Sequence, residues 1–208
     1  MSTVQIPPPQ VSLATLPIDQ KRGLHCMMCV IATEFMLFVS MFAAYYYLGS
    51  NKDRWADHTA PKWYLAVALL VILLASSFVL AWGERQAKAE RVGPARIALW
   101  VTVLMGIGFM TLQGYEYSVE WKEVTPYSDS YGSIFYSITS LHALHVIAGL
   151  LMLMYVGLMP RFGKTPRTPH KPYETVAMYW HFVDAVWILI VLLLYIIPNF
   201  QRYMHVHA

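Results

Sequence analysis

Five stretches of this chain run for about 20 residues or more with almost no charged side chain: 24–48, 63–82, 97–115, 133–159 and 175–197. Runs of that length and polarity match the hydrocarbon thickness of a bilayer. In lipid each run must satisfy its own backbone hydrogen bonds, so each is expected to be a helix. The breaks between them are rich in helix breakers and charge: Ala60-Pro61-Lys62, Gly93-Pro94, Thr125-Pro126, and the cluster Pro160, Pro166, Pro169 and Pro172. Short breaks make consecutive helices antiparallel neighbours. The pattern therefore predicts an all-α integral membrane protein, a bundle of five transmembrane helices, with no internal repeat.

Composition agrees with that pattern and narrows it. A hydrophobic share of 57% against 13% charged residues is too apolar for a soluble domain of 208 residues. Residues 23–200 make one transmembrane domain. Residues 1–22 form a polar, proline-rich arm in which Pro7, Pro8 and Pro9 forbid helix, and 201–208 form a short tail. No basic start followed by a short apolar stretch precedes the first run, so that run is expected to stay in the protein. The net charge of +3 says less than its placement. Lys21, Arg22, Arg85, Lys88, Arg91, Arg96, Arg161, Lys164, Arg167 and Lys171 fall on one side, and Lys52, Arg54, Lys62, Lys122 and Arg202 on the other. Excess Lys and Arg marks the cytoplasmic side, which puts the amino terminus in the cytoplasm and the carboxyl terminus outside. Trp55, Trp63, Trp82, Trp100 and Trp121 fall near span ends, as an interfacial aromatic belt requires. Cys26 and Cys29, one turn apart in an apolar run, are read as packing residues, since no second pair completes a four-ligand site.

Ionisable groups inside such spans are costly and need a reason. Glu34 lies on the order of 15 Å into the first helix. It is expected to be held neutral, to share a proton with another helix, or to fix packing through a buried hydrogen bond. Gln113, Glu116 and Tyr117 share one face at the outer end of the third span, as an interfacial polar cluster or a partner-binding surface. In the fourth span Thr139, His142, His145 and Gly149 recur along the helix. Two histidines three apart can hold a metal or can hydrogen-bond facing acids, and Gly149 admits a close neighbour. In the fifth span Tyr179, Trp180, His181, Asp184 and Trp187 cluster, with His181 and Asp184 one turn apart and able to pair. Glu34, His145 and Asp184 come out at comparable depth, which suggests one polar network across the first, fourth and fifth helices. The second span has only Ser76 and Ser77 as interior polar groups and reads as scaffold.

These motifs, in this order, resemble subunit III of the haem–copper oxidases. The strongest part is Tyr179-Trp180-His181-Phe182-Val183-Asp184-Ala185-Val186-Trp187, similar to that family's last-helix signature. The run Tyr131-Gly132-Ser133, Phe135-Tyr136, Thr139, His142, His145 and Gly149 is similar to its penultimate helix, and Glu34 with Gln113, Glu116 and Tyr117 fits the rest. The resemblance covers nearly all of the chain after the arm and matches the short five-helix bacterial form, which begins where the seven-helix form has its third helix.

The resemblance implies a subunit without haem or copper of its own and without catalytic residues. Those cofactors belong to subunits I and II. It implies direct packing on subunit I, with subunit II and a small subunit IV in the same complex, membrane lipids around it, and no nucleic acid; the longer form holds phospholipid in a cleft, one wall of which is the helix pair missing here. It implies support of proton uptake in a proton-pumping terminal oxidase of the bacterial inner membrane. The last-helix wording looks closer to the cytochrome c branch than to the quinol branch. Two other readings stand beside it: a five-helix accessory protein of nitric oxide reduction, and a haem-binding membrane electron carrier using His142, His145 and His181.

Overall fold

Each apolar run becomes a helix, and each helix continues past its apolar limits into the flanking polar residues. The computed structural model describes residues 19–50, 63–121, 125, 127, 130–159 and 171–200, with the side chains of 19–22 excepted. The helices are α1 (Asp19–Ser50), α2 (Trp63–Lys88), α3 (Val92–Glu120), α4 (Ser130–Leu158) and α5 (Lys171–Ile190). α5 runs on through a π-helical stretch, Val191–Ile196, to Phe200. All five are long and apolar enough to cross a membrane, and the described residues contain no strand. Most of the proline-rich arm, the carboxyl-terminal tail, Trp55 and many of the loop residues used in the basic count lie outside the described residues.

The widest difference from the sequence reading is at the turn between α2 and α3. The charged segment 83–96 was expected as a loop, yet only residues 89–91 leave helical geometry, and Glu90 takes the left-handed conformation at φ 61°. Pro94 sits in the first turn of α3, where its missing N–H would have had no intrahelical partner in any case. Gly83 is helical and buried, and the Tyr173 ring and the Ala98 methyl close on it. The Tyr173 hydroxyl donates to the Leu80 carbonyl oxygen at 3.1 Å. Removing it in Tyr173→Phe is expected to lower stability by about 0.6 kcal/mol, the mean for an interhelical hydrogen bond in a membrane protein, measurable as a small drop in the detergent unfolding temperature.

The packing closes a ring in chain order: α2 on α3, α3 on α4, α4 on α5, and α5 back on α2. α1 lies outside this ring against α4 and α5, rather than beside α2 as short connections suggested. Among the described side chains of α1 only Phe38, Phe42 and Tyr45 are buried, a narrow stripe at i, i+4 and i+7. Cys26 and Cys29 are exposed on this helix and do not pack into the bundle, which corrects the expectation for them.

α5 and its continuation carry the largest share of the buried apolar residues. Trp180 and Trp187 have no exposed surface. Buried residues recur as pairs four apart, 186/187, 190/191 and 194/195. That period exceeds the 3.6 of an α-helix, and the wider π-helical turns hold the last pair, Leu194 and Tyr195, on the inner face. Near the end of α2 Lys88 reaches Glu84 at 2.7 Å and Glu174 at 3.1 Å, joining α2 to α5. Arg96 donates to the Met159 carbonyl oxygen at 3.2 Å, just past the end of α4.

Candidate functional site

The polar side chains of the spans fall into three groups rather than one network. The first lies where α1 meets α4 and α5. Glu34 Oε2 is 3.0 Å from His145 Nε2, and His145 Nδ1 is 2.7 Å from the Leu141 carbonyl oxygen of its own helix. That carbonyl can only accept, so Nδ1 carries a proton and Nε2 faces the acid. Phe38 lies edge-on to the imidazole at 5.1 Å. The Tyr179 hydroxyl donates to the His145 backbone carbonyl at 3.4 Å, which brings α5 into the group. Glu34 keeps 33% of its side chain exposed against 11% for His145, so the pair opens on the acid's side.

The second group joins α5 to α2, and here the expected scaffold helix supplies the partners. The Ser77 hydroxyl donates to Asp184 Oδ2 and lies 3.0 Å from His181 Nδ1. His181 Nδ1 and Asp184 Oδ2 are 3.7 Å apart. One residue back on α2, Ser76 donates to the Leu73 carbonyl oxygen at 2.7 Å and accepts the Trp180 indole N–H at 3.0 Å. Asp184 therefore has its partner on α2, and Glu34 with His145 forms a separate pair. Depth alone placed these three residues together; the direction in which each side chain leaves its helix separates them. The signal for Ser76 and Ser77 was present, since two adjacent hydroxyls in an otherwise apolar helix have to be satisfied somewhere in lipid.

The third group lies among α3, α4 and α5. Gln113 and Glu116 are buried and face the bundle, so neither forms the interfacial surface expected of them. Their helix continues to Glu120, which takes Gln113 two turns inside its carboxyl-terminal end. The Gln113 amide donates to Glu116 Oε2 at 2.9 Å. The Tyr195 hydroxyl faces the same carboxyl group without reaching full hydrogen-bond geometry. Tyr117 and Ser140 hydroxyls lie 3.4 Å apart, and Thr139 donates to the Phe135 carbonyl oxygen of its own helix at 3.0 Å. His142 is buried as an aromatic ring: it stacks on Trp187 at 4.8 Å and meets Phe109 edge-on at 6.1 Å. Phe109 carried no polar or motif signal that would have singled it out, and Tyr195 offered only its hydroxyl.

The glycine of the fourth span admits a ring and not a backbone. A methyl group at Gly149 would lie 2.9 Å from Trp180 Cε3, and one at Gly106 would lie 2.9 Å from Trp180 Cη2. Trp180 therefore fills a slot between α3 and α4 while its N–H reaches α2.

As chemistry, these groups bond to one another or pack as rings. Among the described residues no three of His, Cys, Asp and Glu converge as ligands of a metal ion would. His145 has both ring nitrogens engaged, His181 has one, and His142 is stacked against an indole.

Five apolar spans that bury acids, imidazoles and hydroxyls against each other define a multi-pass helical membrane protein. The family model for cytochrome c oxidase subunit III matches residues 15–198. The chain is 34% identical over 171 residues to a probable cytochrome c oxidase subunit 3 of Mycobacterium leprae, covering 80% of this chain and 84% of that one. It is 36% identical over 161 residues to a probable cytochrome c oxidase subunit 3 of Nocardia farcinica, covering 76% and 79%. It is 30% identical over 176 residues to a cytochrome c oxidase subunit 3 of Thermostichus vulcanus, covering 84% and 87%. The chain belongs to the cytochrome c oxidase subunit III family.

Proposed function

We propose that this chain is the metal-free subunit III of a proton-pumping terminal oxidase that carries electrons from cytochrome c to O2. It resides in the bacterial inner membrane, with its amino terminus cytoplasmic and its carboxyl terminus periplasmic. It packs directly on subunit I, in a complex that also holds subunit II and a small subunit IV. It has no catalytic residues; haem and copper belong to the partners, and a phospholipid is held at its surface. The family match over residues 15–198 carries this reading. The mutual satisfaction of Glu34 with His145 and of Asp184 with Ser77 supports it, because such pairs fix helix packing and leave no ligand set pointing outward.

Within that role Glu34 supports proton uptake and the other buried polar residues hold the bundle. Glu34 is the acid with the most suitable position: it is paired with His145 yet keeps a third of its side chain exposed. Glu34→Gln keeps a hydrogen-bonding group opposite His145 and removes the exchangeable acid. The expected outcome is an assembled complex, destabilised by about 1 kcal/mol or less, whose sustained turnover or pH dependence differs from wild type. Wild-type behaviour in both measurements would reduce Glu34 to a packing residue.

The reading as a whole is tested by purifying the tagged chain in mild detergent. The expected result is co-purification of a haem-bearing oxidase subunit and O2 consumption with reduced cytochrome c. Oxidation of quinol instead would move the chain to the quinol branch, and a nitric oxide reductase as sole companion would move it to that system. A Soret band in the isolated chain would overturn the metal-free assignment.

A further inference from the structure

We propose that the outer face of α5 centred on His181 is a docking surface for a transmembrane helix of a partner subunit, one that presents a hydrogen-bond donor near the middle of the membrane. The proposal rests on the reading of the chain as one subunit of a membrane complex and adds which face is used and what the partner must offer.

Between residues 171 and 195 the exposed positions of α5 are His181, Ala185, Ile188 and Leu192. They follow at i, i+4, i+7 and i+11, a single stripe along the helix. The ring closure of α2 to α5 places one edge of this stripe at α2, which Ser77 marks through its contact with His181. His181 is the eleventh residue of the span Lys171–Phe200. At 1.5 Å per residue it lies about 7 Å from the middle of that span, inside a hydrocarbon layer of about 30 Å. Yet 42% of its side chain is exposed, while Asp184 beside it is 6% exposed.

The hydrogen bonds assign the ring nitrogens. The Ser77 hydroxyl gives its proton to Asp184 Oδ2. Its oxygen is then an acceptor toward His181, so Nδ1 carries the ring proton. A ring whose one proton sits on Nδ1 leaves Nε2 as an acceptor, and Nε2 has no hydrogen-bond partner among the described residues. Acyl chains have nothing to donate, and polar side chains at this depth otherwise turn to a bundle interior or to a partner. A helix bearing a hydroxyl, amide or indole N–H supplies the donor. Ala185, one turn along the same stripe, allows the close backbone approach that membrane helix pairs use, and Ile188 and Leu192 continue the contact. A lipid could cover the apolar end of the stripe but would leave the imidazole unmatched, so the occupant is a protein helix.

The test uses the full complex with a photo-crosslinking amino acid at Ala185. Wild-type co-purification independently reports whether the chain has partners at all. Adducts at position 185 that carry a membrane-embedded peptide of a partner support the proposal. Adducts of lipid alone overturn it even when partners co-purify, and the subunit reading would then stand without this face. In a second arm Ala185→Trp projects outward and is expected to insert at wild-type abundance while partner yield falls about tenfold. His181→Phe is expected to lower partner yield similarly, with His181→Gln, which retains an acceptor, recovering much of it. Unchanged partner yield in Ala185→Trp would also overturn the proposal.

Discussion

Trp180→Ala is expected to remove most of the folded chain from the membrane. The indole has no exposed surface, fills the slot that Gly106 and Gly149 leave open, and donates its N–H to Ser76 at 3.0 Å. One side chain therefore ties α5 to α2, α3 and α4 together. Truncating a buried tryptophan to alanine costs about 3–5 kcal/mol in soluble cores. Part of that cost is transfer of apolar surface to water, which is nearly absent when the alternative environment is lipid. What remains is the cavity and the lost hydrogen bond, so the lower end, about 3 kcal/mol, is the expected loss. The readout is the monodisperse yield in detergent and the unfolding temperature. Trp180→Phe should fall between, since it keeps a ring in the slot but has no donor for Ser76. Wild-type yield from Trp180→Ala would mean that the ring closes on other contacts.

The existence of five helices was legible because lipid turns a run of apolar residues into a helix with few alternatives. Their ends were not. The apolar limit marks where lipid stops, while the helix continues as long as nothing terminates it. α2 passes Gly83 and reaches Lys88, and α3 begins at Val92 with Pro94 already inside it. Neighbour choice was legible for α2 through α5, where chain order and packing order agree, and failed for α1, whose buried stripe fits the seam between α4 and α5.

Among the candidate residues, spacing along one helix was a good guide and depth across helices was a poor one. Asp184 and His181 sit together because three residues make one turn. Glu34 and Asp184 stand in separate groups, because equal depth says nothing about the direction in which a side chain leaves its helix. Ser77 was passed over because a serine has no charge to make its burial costly, although its hydroxyl is what neutralises the burial of Asp184. Cys26 and Cys29 were read as packing residues because no second pair completes a metal site, and their helix turns them outward.

Asp184→Ala is the second large effect. The carboxyl group is almost wholly buried, accepts from Ser77 and lies beside His181. Without it the Ser77 hydroxyl and the His181 Nδ1–H keep only each other. A buried polar group stranded this way costs about 1–3 kcal/mol, and the expected phenotype is a lower unfolding temperature and reduced assembly yield. The source of the loss is separable. In Asp184→Asn the amide oxygen still accepts from Ser77, so recovery there assigns the effect to hydrogen bonding rather than to charge. Removing both partners, Ser77→Ala with Asp184→Ala, exchanges the stranded Ser77 O–H for a stranded His181 Nδ1–H and adds no further unsatisfied group. The double variant should therefore be no less stable than Asp184→Ala, although it has lost more atoms. If the two losses simply add, Ser77 and Asp184 are uncoupled, and the contact between them does not hold α2 to α5.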